Sequence, residues 1–249
     1  AALLQHAPGP LLVVVAQPSR LDELSDDLSL FTQVPSDRFP AWESEPGERI
    51  LVDEIYGDRL RLLKMLAGGD WPPIILTSIQ SLLQPVPSRR LVNENTRRIE
   101  TGTELPTDDF LRWLVEHRFH NTSAVELPGE VSVRGGIIDV FAPGWDEPVR
   151  IELFGAQVES LRKFDIATQR SSQTLESFEI TVIDPGRDDR EHLDEYLPPD
   201  TWMVLVEMNQ IQEEGQRYLE RLEQPEKAHN IPSVLQRISR FPTVTASAV

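Results

Sequence analysis

The sequence predicts a parallel α/β lobe interrupted by a smaller α+β domain with an antiparallel sheet, and three observations predict it. Short apolar runs, LLVVVA at Leu11–Ala16, PIILTS at Pro73–Ser78 and WMVLVEM at Trp202–Met208, have the composition of strands covered on both faces. Helical spacings alternate with these runs, as in βαβ units. Between the second and third runs, from Asn121 onward, short segments broken by Gly and Pro read as an antiparallel meander. The chain is therefore expected to leave an α/β layer and return to it. The expected division is residues 1–90 for the first part of the lobe, 91–183 for the inserted domain and 184–249 for the second part.

Taken in order, Ser19 precedes Asp22 by three residues in a helix-start pattern, and Leu21, Leu24, Leu28 and Phe31 follow at near-helical spacing toward a core. After a passage holding Pro35, Pro40 and Pro46, one helix side carries Ile55, Tyr56, Leu60, Leu63 and Leu66, closed by Gly68 and Gly69. SIQSLLQ predicts a short helix ended by Pro85, and the polar stretch around Arg89–Glu100 a boundary. Thr107 is placed to cap a helix holding Phe110, Leu111, Leu114 and Val115. The meander is expected to contain SAVE, EVSVR, IIDVFA, VRIELF and VESLRKF, with Pro128-Gly129, Gly135-Gly136, Pro143-Gly144 and Gly155 at the breaks. In the last part, Ile211, Tyr218 and Leu222 face inward from a helix; nothing in the sequence decides whether the tail after Asn230 is ordered.

With 24 Lys and Arg against 41 Asp and Glu, the net charge of −17 opposes non-specific binding to a phosphate backbone. No cysteine is present, so disulfides and thiolate metal sites are excluded, and a cytoplasmic setting with no membrane association is expected. Ala1 and Val249 read as positions inside a longer protein.

Catalytic signatures are sparse. There is no phosphate-binding glycine loop after any apolar run. The DEIY box at Asp53–Tyr56 lies in a helical pattern, where a solvated face explains it. VLVEMNQ does end an apolar strand, but the position where an ATPase holds its metal-binding Asp is Val206, leaving only Glu207. His117 and His120 could share a helix face without a third ligand, and Asp108-Asp109 and Asp188-Asp189 suit capping better than acid/base work. No catalytic residue, metal or cofactor is expected.

An interaction surface is better supported. Alternation in PVRIELFG puts Ile151 and Leu153 on one face and Arg150, Glu152 and Phe154 on the other. In EVSVRGG, Val131 and Val133 take the inner face, leaving Ser132 and Arg134 outward. Arginine and aromatic side chains dominate interface hot spots. Periodicity alone favours a plainer arrangement, a cross-strand Arg–Glu pair beside a partly exposed Phe.

The run from Leu127 to Ser171, and within it VRGGIIDVF, VRIELFG and FDIATQRS, closely resembles the damage-protein-binding domain shared by transcription-repair coupling factors and the excision nuclease subunit UvrB. The double glycine and FDIATQRS are similar to the coupling-factor branch, as are the weaker segments FPAWE, GDRLRLLKML and TSIQSLLQ. The resemblance implies a degenerate, P-loop-type helicase-like lobe that does not hydrolyse ATP, with an inserted domain that docks onto UvrA. It thereby recruits repair proteins to a stalled RNA polymerase. Polymerase, DNA and the motor would belong to other domains of the parent, one of which, C-terminal, could mask the same surface. By motif position Arg134, Arg150, Glu152 and Phe154 match the contact residues, with Glu152 aligning Arg150 or meeting a basic group. Arg150→Ala is then expected to abolish UvrA binding while melting barely changes. UvrB-type sequences carry a further Arg where this chain has Ser132. The alternative is a UvrB-type DNA- or nucleotide-binding fragment of the excision nuclease.

Overall fold

The computed structural model describes residues 2–42, 50–183 and 191–247. In chain order its elements are β1 (Leu11–Val15), α1 (Arg20–Phe31), β2 (Ser36–Phe39), α2 (Glu54–Ala67), β3 (Ile74–Ser78), α3 (Ile79–Leu83), α4 (Arg89–Glu94), β4 (Thr96–Glu100) and α5 (Thr107–Glu116). There follow β5 (His120–Asn121), β6 (Glu130–Arg134), β7 (Ile137–Phe141), β8 (Val149–Phe154), β9 (Gln157–Phe164), β10 (Ser171–Leu175) and β11 (Ser177–Thr181). The chain ends with β12 (Trp202–Val206), α6 (Met208–Arg221), α7 (Ile231–Ile238) and β13 (Thr243–Ala246). Among the described residues no helix is long and apolar enough to cross a membrane.

The fold is mixed α/β, with parallel and antiparallel sheets, and divides into two compact units. The first holds residues 2–42, 62–89 and 191–247; the second holds 50–61 and 90–183. Helix α2 is shared between them, so residues 50–61 count with the second unit although the sequence placed them in the first.

The first unit is a five-stranded sheet in the order β13-β12-β1-β3-β2, parallel throughout. Its central strands are the apolar runs, buried on both faces, because the backbone ladder satisfies the peptide groups and the side chains have no water to meet. Leu11, Val13, Val15, Ile74, Leu76 and Val204 form one core cluster with Leu21 of α1. The buried polar ends of β3 are satisfied locally: Thr77 donates to the Phe39 carbonyl at 2.9 Å, and Ser78 Oγ accepts from the Ser81 amide at 3.3 Å to cap α3. At the sheet's edges lie β2 and β13, short and polar, which sequence pattern did not reveal. Of the tail beyond Asn230, the described residues 231–247 hold α7 and the edge strand β13.

Several expectations need correction. Phe31 is exposed beside Leu30 at the end of α1, because only Leu21 of that helix is buried and Leu24 and Leu28 complete its contact. Neither Ser19 nor Thr107 makes a side-chain cap; Thr107 is the first helical residue of α5 and donates to the Leu105 carbonyl. SAVE is not a strand; the Arg89–Glu100 stretch does hold a division between the two units, at Arg89 and Arg90, but it is built as the helix α4 and the strand β4. His117 lies just past the end of α5 and His120 in β5, so they do not share a helix face. Glu43, Pro46 and the Asp188-Asp189 pair lie outside the described residues.

The second unit holds a six-stranded sheet, order β10-β9-β8-β7-β6-β5, antiparallel except for β5 on β6, and a two-stranded sheet of β4 and β11. Val131, Ile138, Val140, Val149, Ile151 and Leu161 fill the sheet's inner face. Tyr56 ties the first turn of α2 to the chain beyond β11, its hydroxyl donating to the Ile183 carbonyl and accepting from the Ile183 amide, both at 2.9 Å.

Candidate protein-docking site

Register fixes which side chains share the outer face of the larger sheet. Ser132, Asp139, Arg150 and Arg162 stand in one row across β6, β7, β8 and β9, and Arg134, Ile137, Glu152 and Ser160 in the next. Paired residues in antiparallel strands point to the same side, so both rows project together. Phe154 follows two residues beyond Glu152 on β8 and extends the face toward the hairpin turns. Those turns are two-residue loops, Gly135-Gly136 and Gly155-Ala156, each with its first glycine in the left-handed region. The second glycine of the first loop is required by space: a Cβ on Gly136 would lie 2.7 Å from the Leu153 carbonyl oxygen. Pairing skips Glu159, a bulge that lets Val158 return to the core opposite Leu153.

Phe154 is 79% exposed, which for a phenylalanine at the open end of a sheet means an aromatic ring with no intramolecular cover. Arg134 is exposed and donates to the Ser123 carbonyl. Arg150 is different: its side chain keeps only 22% of its accessible surface. Nε and Nη2 donate to the two carboxylate oxygens of Asp139 at 2.7 and 2.8 Å, and Nη2 also donates to Gln169 Oε1 at 3.2 Å. The guanidinium carbon sits 4.5 Å from the centre of the buried Phe164 ring. Hydrogen bonding to Asp139, then the charges of Asp139 and Glu152, raise the Arg150 pKa above its ordinary value against the opposing effect of burial.

Glu152 does not align Arg150. It accepts from Ser160 Oγ at 2.6 Å and from Arg162 Nη2 at 3.0 Å, while Asp139, a residue that sequence reasoning left in the strand pattern, holds Arg150. Since the Asp139 side chain is only 5% exposed, removing Arg150 would strand a buried carboxylate, so Arg150→Ala is expected to lower melting rather than leave it barely changed. Ser132 is also not presented: it is 2% exposed, and its hydroxyl donates to the Ser123 carbonyl at 3.1 Å. Its inner-face neighbour Val133 is partly exposed on the free end of β6, since β5 pairs only at Glu130 and Val131. Ile137 and Arg162 join the outward set without having been singled out; reading strand alternation along IIDVF and VESLRKF in the correct register would have found both.

The FDIATQRS segment is a turn with a defined task. Asp165 Oδ1 accepts from both the amide and the hydroxyl of Thr168 at 2.7 Å, bonds that lower the Asp165 pKa. Gln169, at a left-handed φ of 57°, donates its amide to the Asp165 carbonyl at 2.8 Å and so reaches Arg150. The motif thus closes one side of the Arg150 cage.

Residues 98–184, which contain the whole six-stranded sheet together with β11 and the second part of β4, match the family model described as the UvrB interaction domain. A transcription-repair-coupling factor of Mycobacterium tuberculosis is 38% identical over 172 residues, covering 66% of this chain and 14% of that protein. Those of Myxococcus xanthus and Bacillus subtilis are 32% and 30% identical over 179 and 184 residues, covering 69% and 72% of this chain. The chain therefore spans only 14–15% of the length of these relatives. It carries a UvrB interaction domain at residues 98–184 and is related, across about two thirds of its length, to the transcription-repair-coupling factors.

Proposed function

We propose that this chain is a non-catalytic docking fragment of a transcription-repair coupling factor that binds UvrA and so brings excision repair to a stalled RNA polymerase. The observation that carries this reading is the outer face of β6–β9, where an uncovered Phe154 is flanked by Arg134, Arg150, Glu152 and Arg162. In a chain of net charge −17, this face carries three guanidinium groups; Arg150 and Arg162 are paired with Asp139 and Glu152, so Arg134 supplies the positive charge that suits an acidic partner patch. Phe154 fills an apolar pocket, Arg134 meets carboxylates, and Arg150 acts from a position fixed by Asp139. Polymerase and DNA are contacted by other parts of the parent protein.

The parallel-sheet unit is a degenerate helicase-like lobe, and the second unit is an insertion in it. Supporting this, strands from before and after the larger antiparallel sheet build one parallel sheet, and Val206 ends β12 where a motor protein places its metal-binding carboxylate. Such a lobe has no nucleotide to hydrolyse, and the fragment works by binding alone.

The experiment is titration of purified UvrA with the chain and with Arg134→Ala and Phe154→Ala. Truncating a hot-spot residue typically costs ~2 kcal/mol, roughly thirty-fold in affinity, and both side chains are exposed enough to leave melting unchanged. Wild-type affinity in both variants would remove the site. Calorimetry with ATP and Mg²⁺ separates the UvrB-type alternative, since heat of binding would favour it.

A further inference from the structure

We infer that Ile137 is a second apolar anchor of this surface, so that the partner offers one cleft wide enough for two side chains rather than a single pocket for Phe154. The inference rests on the docking reading above and adds a residue that neither the motif positions nor the domain family assigns. Ile137 is 38% exposed, on the outer face, at the first position of β7. Register sets it between Arg134 on β6 and Glu152 on β8, and Phe154 is the next outward residue along β8. Diagonal neighbours of this kind lie about 7–8 Å apart, within contact of an aromatic ring. Its branched side chain suits the strand, but strand preference does not require an apolar tip, and more than a third of its surface stays open to water.

The polar surroundings say what covers it. Arg134 lies on one side of Ile137, and the Glu152–Arg162 pair, closed at 3.0 Å, on the other. Glu152 is neutralised within the sheet, so Arg134 supplies the charge that a partner meets. The complement is an apolar cleft with an acidic rim. A hydrophobic pair framed by fixed polar groups is the arrangement that excludes water around an interface centre.

The test measures UvrA affinity of the full chain for Ile137→Thr, Ile137→Val and Phe154→Ala, with thermal melting of each. Threonine keeps the branched shape and strand preference but adds a hydroxyl, and valine keeps the apolar surface. Expected is a loss of at least tenfold for Ile137→Thr, near-wild-type affinity for Ile137→Val, and unchanged melting for both. Loss in Phe154→Ala with wild-type affinity in Ile137→Thr would overturn the second anchor and leave the docking site standing. Equal loss in both Ile137 variants would overturn it as well, since apolar character would then not be what matters. Wild-type affinity in Phe154→Ala would overturn the paired-anchor cleft, and together with wild-type affinity in Arg134→Ala it would remove the docking reading itself.

Discussion

Arg150 is both a proposed docking residue and the partner of a buried carboxylate, two roles that a truncation cannot separate. Its guanidinium satisfies a carboxylate that is almost wholly buried, so removing it exposes the cost of an unpaired charge. Arg150→Ala is expected to lower stability by about 3 kcal/mol, read as a fall of several degrees in Tm, and Arg150→Ala/Asp139→Ala to recover much of it. A Tm unchanged in the single variant would show that Asp139 does not depend on Arg150. A second coupled pair lies in the first unit, where the His192 and His229 rings stack at 3.4 Å between centroids. Burial first, then the charges of His229 and Arg237, push the His192 pKa down from 6.5 to about 4. The native state therefore resists a proton that an unfolded chain accepts near pH ~6.5. The stability this costs is absent above that value and grows as pH falls toward 4. Melting followed from pH 7.5 to 4.5 should show a decline that His192→Gln flattens; parallel curves would assign the decline to other groups.

Hairpin turns decide what the antiparallel sheet presents. Gly135 and Gly155 reverse the chain in two residues at the same end, which brings Ile137 and Phe154 together and keeps both outward. A tighter constraint lies at Gly144, at φ 74°, where an added Cβ would stand 2.7 Å from the Gly57 carbonyl oxygen. Gly144→Ala combines left-handed strain with a clash against backbone and should cost about 2 kcal/mol or more, measurable by denaturant titration. Unaltered stability would mean that the 143–145 turn can move away from α2. Elements of this type were legible because apolar runs and alternation are local signals: LLVVV, IIDVF and VRIELF each declare a strand. The edge strands β2, β10 and β13 were not, since SDRF, SSQTL and TVTA bury little and their pairing depends on a neighbour distant in sequence. That Arg134, Arg150, Glu152 and Phe154 stand on one side of the sheet was readable from alternation. The partnership of Asp139 with Arg150 was not, because register between strands is set in three dimensions.

At the scale of the whole molecule, an acidic chain keeps a small set of arginines, an open phenylalanine and a partly exposed isoleucine on one face of one sheet. Spacing of apolar runs announced a chain that leaves a parallel layer and returns. It did not announce that residues 50–61 count with the antiparallel unit, since helix α2 carries one continuous apolar pattern across that division. Amide hydrogen exchange of the chain with and without UvrA tests the docking surface most directly. New protection at the Gly135-Gly136 and Gly155-Ala156 hairpins and the adjoining ends of β6–β9, with the parallel sheet unaffected, is the result predicted. Protection confined to the parallel-sheet unit, with those hairpins exchanging as in the free chain, would contradict it.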